Sequence, residues 1–141
     1  MQQFITFAIN HWELFLALAV ICALLAYHTF AGFGGAKSVS PQEAIRVINQ
    51  QQGVVLDVRD PGEVKSGKIL DSVTIPLADL PQQLNKLEKY RDRPVIAVCQ
   101  SGARSARACN ILRKHGFDSV YNLQGGILAW TNAGLPLSKK K

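Results

Sequence analysis

The sequence predicts an α/β fold built on a parallel sheet and preceded by one transmembrane helix. Three observations carry this expectation. From residue 40 onward, short apolar runs alternate with helix-like runs, the pattern of parallel strands joined by helical crossovers. One run, Val95-Ile96-Ala97-Val98, is apolar throughout behind Pro94, as a strand buried on both faces would be. Finally, Leu14 to Phe33 gives 20 residues without Asp, Glu, Lys or Arg, about 30 Å as a helix.

The apolar segment leads. Trp12 and Tyr27 mark plausible interfacial positions, and Lys37 and Arg46 follow the segment while no Lys or Arg precedes it. The expectation is a single-pass anchor in the cytoplasmic membrane through residues 14–33, with its amino terminus outside and the following domain in the cytoplasm. A cleaved signal peptide is the competing reading, weakened by the lack of a basic leader. A buried core helix would need a partner. Residues 1–36 are assigned to the anchor and to a linker, Gly32-Phe33-Gly34-Gly35-Ala36. Residues 37–138 form the domain, and 139–141 a basic tail.

Within the domain, Ser40-Pro41 with Glu43 reads as a capped helix start, and Ala44, Ile45, Val47 and Ile48 give that helix its apolar face up to Gly53. Val54-Val55-Leu56 is a buried strand that runs into Asp57, Arg59 and Asp60. A helical turn over 61–66 leads to a strand at 73–75, ended by Pro76. Leu77, Leu80, Leu84 and Leu87 mark an amphipathic helical stretch up to Lys89. After the strand at 95–98, a helix is expected over Ala106 to Gly116, with Ala108, Cys109 and Leu112 inward. Ser119 to Leu123 is the last strand, and Gly125-Gly126 opens a helix that turns Ile127 and Trp130 inward.

The chemistry is expected at Cys99-Gln100-Ser101-Gly102-Ala103-Arg104-Ser105, between a strand's carboxyl end and a helix's amino terminus. Open parallel sheets bind ligands at that edge, and a thiol there meets a positive potential. The small residues 101, 102, 103 and 105 let backbone N–H groups converge on the sulfur, which lowers a thiol pKa. Arg104 adds a cation suited to gripping an anion. A structural cysteine before an ordinary turn is the alternative, but it gives no reason for so many small residues. Asp57 and Arg59 are brought to the same sheet edge by the neighbouring strand.

Composition narrows the remaining classes. Sixteen Lys and Arg stand against 10 acids, and all sixteen follow residue 36. Lys139-Lys140-Lys141 reads as a solvated tail or as a weak attraction to anionic lipid headgroups. No aromatics interleave with the basic residues, so nucleic-acid binding is not expected. Three cysteines, at 22, 99 and 109, give neither a disulfide framework nor a metal spacing, and no cofactor is expected.

The loop resembles that of the rhodanese-like sulfurtransferases, and so do Leu56-Asp57-Val58-Arg59 with Asp60-Pro61-Gly62-Glu63, Ile75-Pro76-Leu77, and Gly125-Gly126-Ile127-Leu128-Ala129-Trp130. The resemblance spans residues 38–137 and implies an open, five-stranded parallel sheet flanked by helices. It also implies that Cys99 takes a sulfane sulfur from a donor such as thiosulfate, and passes it from a persulfide to a thiol or cyanide. Residues 100–105 would bind the substrate, with Asp57 and Arg59 in support. Gly67-Lys68-Ile69-Leu70-Asp71-Ser72 departs from the family's Gly-His-Ile pattern, which bears on acceptor choice. Cysteine phosphatases of the same fold use Cys-x5-Arg, whereas this chain has Ser105 there and its arginine one residue earlier. A membrane-tethered, non-catalytic binding module and a membrane-protein partner are left open.

Overall fold

The computed structural model describes residues 1–31 and 36–139. Most of the expected linker, the end of the apolar run at Phe33 and the last two lysines lie outside the described residues. The chain divides into two units, Met1–Gly34 and Gly35–Lys141.

The first unit is helical. Helix α1, Gln2–Asn10, was not expected from the sequence; its cap is His11, whose N–H donates to the Phe7 carbonyl. Helix α2, Trp12–Ala31, has 20 residues and therefore begins two residues before the predicted span. Trp12 to Thr29 is long and apolar enough to cross a membrane, and none of it is buried within the unit.

The second unit is a five-stranded parallel sheet, as the resemblance implied, with strands Lys37–Val39, Val120–Leu123, Val95–Val98, Val54–Asp57 and Val73–Thr74 side by side in that order. Strand β1, Lys37–Val39, precedes α3, Pro41–Gln51, where the Ser40 hydroxyl accepts from Glu43 N–H while the Glu43 carboxylate accepts from Ser40 N–H. Then come β2, Val54–Asp57; a short α4, Pro61–Val64; and β3, Val73–Thr74. Strand β4, Val95–Val98, leads to α5, Ala103–Lys114, and β5, Val120–Leu123, to α6, Gly126–Asn132.

Three expectations are corrected. The stretch from Leu77 is two 3-10 segments, Leu77–Gln82 and Leu84–Tyr90, rather than one amphipathic helix. Pro81 has no N–H to donate, and the leucine pairs 77/80 and 84/87 suit a three-residue turn, where i and i+3 eclipse. Strand β1 was missed because only Val39 of its three residues is buried, so no apolar run announces it; pairing with β5 alone makes it a strand. Helix α5 begins three residues earlier than expected, placing Ala103, Arg104 and Ser105 in its first turn.

Alternating strand residues build a core on each side of the sheet. Leu56, Val95, Ala97 and Val120 pack with α5 and the two 3-10 segments, whereas Val55, Ile96, Val98 and Leu123 pack with α3 and α6. The chain leaves β2 toward β3 and leaves β4 toward β5, in opposite directions along the sheet. Their shared border is thus the topological switch point, the edge at which open parallel sheets bind ligands.

Candidate active site

Cys99 follows β4 at that border, and it is 1% exposed. Its Sγ accepts the Gly102 N–H at 3.0 Å and lies 3.3 Å from Ser105 Oγ. Burial opposes ionisation, but hydrogen bonds from the Ser105 hydroxyl and from the amides of Ser105, Gly102 and Ser101 outweigh it. The thiol is therefore more acidic than an ordinary cysteine. Of the amides expected between Gln100 and Arg104, Ser101 and Gly102 act on the sulfur, and Ser105 adds its own.

Two features make the loop curl. Gly102 has φ of 109°, a conformation that glycine adopts without strain. On the outer side, α6 holds the loop's carbonyls: Ile127 N–H donates to Cys99 O at 2.9 Å, and Leu128 N–H to Gln100 O at 3.3 Å. In a trans peptide the next N–H points opposite to the carbonyl, so these bonds turn the Gln100 and Ser101 amides inward. Gly126 permits the approach. A Cβ at that position would stand 2.3 Å from Cys99 O.

Ser105 is wholly buried. Its Oγ is also 3.1 Å from Gly102 O and 2.5 Å from Asn122 Oδ1, while Asn122 Nδ2 donates to Gly102 O at 3.2 Å. One hydroxyl proton thus faces three acceptors. Either group can donate across the Cys99–Ser105 contact, whereas to a thiolate only the hydroxyl can donate.

Arg104 is not the free, solvated cation that the loop suggested. Its Nη1 and Nη2 donate to Glu63 Oε2 and Oε1, both at 2.8 Å, across the border between the two loops. Asp60 N–H also donates to Glu63 Oε2, at 2.9 Å. The Arg104 bonds, followed by the Asp60 amide, hold the Glu63 carboxyl down at about 2, and the pair raises the arginine further.

Asp57 and Arg59, expected at this sheet edge, pair with each other at 1% and 2% exposure. Arg59 Nη2 donates to Asp57 Oδ2 at 2.8 Å and to Gly67 O at 2.7 Å, while its Nε reaches both Asp57 oxygens. They brace the end of β2 against the Gly67 loop and do not reach the sulfur. That loop is tied to the carboxyl-terminal segment, where the Lys68 and Ser138 backbones bond reciprocally at 2.9 and 2.7 Å.

All the predicted loop residues are brought together: Gln100 is held by α6, Ser101 and Gly102 face the sulfur, Ala103 opens α5, and Ser105 lies beneath Cys99. Glu63 ends the Asp60-Pro61-Gly62-Glu63 motif, but neither it nor Asn122 was expected in the site. Asp-Pro-x-Glu at 60–63 is a helix-start signature that could have placed Glu63 near the edge. Asn122, polar between Tyr121 and Leu123 in a strand, was an available signal too. Among the described residues, no cluster of three or more His, Cys, Asp or Glu could hold a metal.

Comparison with known proteins agrees with this geometry. The sequence model of the rhodanese-like domain matches residues 40–133. A sulfurtransferase of Allochromatium vinosum is 38% identical over 92 residues, covering 65% of this chain and 84% of the relative. The uncharacterized protein YibN of Escherichia coli is 31% identical over 143 residues, covering 100% of both chains. The crystal structure of a rhodanese-related protein from Thermoplasma volcanium superimposes with a TM-score of 0.65 at 33% identity, covering 74% of this chain and 99% of the other.

Proposed function

The chain belongs to the rhodanese-like domain family, and from that membership we propose that it is a sulfurtransferase carrying a sulfane sulfur on Cys99. The observation that carries the reading is the acidified, amide-cradled sulfur at the switch point of the sheet. A Cys99 thiolate attacks the outer sulfur of a donor such as thiosulfate. A sulfur–sulfur bond forms to Cys99, the donor's own sulfur–sulfur bond breaks, and its electron pair leaves with sulfite. The amides and the Ser105 hydroxyl that favour the thiolate also suit the negative terminal sulfur of the persulfide. A thiol or cyanide then attacks that terminal sulfur and restores the thiolate.

We extend the proposal to location. The apolar helix Trp12–Thr29 would anchor the chain, with the domain in the cytoplasm, where thiols are kept reduced.

The test is thiocyanate formation from thiosulfate and cyanide by the full chain in mild detergent. Cys99→Ser is expected to abolish it and Cys109→Ser to retain it, since Cys109 is buried on α5, outside the loop. Activity surviving Cys99→Ser would overturn Cys99 as the sulfur carrier, and no activity in either protein would leave a binding module.

A further inference from the structure

We propose that Glu63 sets the charge of the sulfur donor: by holding Arg104 in a two-point ion pair, it turns the site against dianionic thiosulfate and toward persulfides of thiols. This rests on the reading that Cys99 carries the sulfur, and it deepens that reading by naming the donor class.

Both arginines that the sequence brings to this edge are closed by carboxylates of the same chain. Arg59 is spent on Asp57 and the Gly67 carbonyl. Arg104 gives both Nη groups to Glu63 at 2.8 Å. The Glu63 carboxylate is itself fixed by the Asp60 amide at 2.9 Å, so it does not swing away freely. It stays ionised across the working pH range, because its carboxyl is held down at about 2.

A donor anion arriving at Cys99 therefore meets a neutral Arg104–Glu63 pair beside a thiolate. Coulomb repulsion from the thiolate doubles as the donor goes from one negative charge to two. Thiosulfate would have to draw Arg104 from its carboxylate to compensate. A persulfide presents at most a single charge at its reacting end, and the attack runs as before: the Cys99 thiolate bonds to the terminal sulfur, the persulfide's sulfur–sulfur bond breaks, and the electron pair leaves on the thiol sulfur as a thiolate.

The test is single-turnover loading of Cys99 in the full chain in mild detergent, with thiosulfate and with cysteine persulfide, whose net charge is at most one negative, read by intact mass. Glu63→Gln keeps an oxygen for the Asp60 amide and removes the charge. The ratio of thiosulfate to persulfide loading is expected to rise about tenfold at low salt, a gain that added sodium chloride erodes. An unchanged or lower ratio overturns the proposal. Wild-type chain supplies a measurement independent of how the variant folds. Thiosulfate loading that is flat or rises with salt supports a neutralised Arg104, whereas a steep fall shows an attracting, unpaired cation and overturns it. If neither donor loads Cys99 in either protein, the sulfur-transfer reading fails, and this one with it. Loading with unchanged donor preference overturns this one alone.

Discussion

Cys99 and Cys109 belong to the same core cluster, and both are buried, yet their acidities move apart. Burial pushes Cys109 up to about 12, because the Arg113 charge and a single amide offset little of the desolvation. Desolvation also opposes ionisation of Cys99, yet its acidity is raised, since three amides and a hydroxyl stabilise its anion. Iodoacetamide should therefore alkylate Cys99 with a pH midpoint below that of a free cysteine and leave Cys109 untouched up to pH 10, as read by peptide mass. The reactive form is the anion, so reactivity is lost as pH falls through that lowered midpoint. Ser105→Ala removes a donor to the thiolate and should raise the midpoint by about one unit. Cys99, Ser105 and the Asp57–Arg59 pair were legible as residue types at a strand end. The Arg104–Glu63 pair was not, because its partners are 41 positions apart and a lone arginine in a loop reads as solvated.

At the level of elements, α6 and the Cys99 loop are a single device. Gly126 has φ of 59°, and a Cβ there would lie 2.3 Å from Cys99 O and 2.7 Å from the Gln100 carbonyl carbon. Gly126→Ala should push α6 off the loop, lowering stability by at least about 2 kcal/mol in thermal or urea unfolding and reducing sulfur transfer in the protein that remains folded. Gly62→Ala is the control: nothing lies within 4 Å of a Cβ there, so it should be nearly neutral. The Gly-Gly-x-x-x-Trp run correctly announced a helix and its inward Ile127 and Trp130. What it opens against, the backbone of residues 99 and 100, is a tertiary fact with no local signature. The same holds for β1, whose three residues are a strand only by virtue of β5. The 3-10 segments differ in kind, since Pro81 was visible and should have told against an uninterrupted helix.

For the whole molecule, one apolar helix precedes a complete parallel-sheet domain. The full chain should resist extraction by alkaline carbonate, and protease added to spheroplasts of a bacterial host should leave the domain intact. Digestion from outside would reverse the topology, and a soluble mature chain beginning near Gly32 would mean a cleaved signal. Length and composition made the apolar helix readable, while α1 escaped notice because its nine residues carry no stop, cap or long apolar stripe. The sheet's order has a further consequence, for encounters between copies of the chain. Its two rims are β1 and β3, only three and two residues long, and β1 places Lys37 and Ser38 in solvent. Rims this brief offer too few free backbone groups to recruit a strand from a neighbour, and a lysine on one of them discourages the attempt. Crowded together, many copies could thus collide through their domains without zipping into a continuous ribbon.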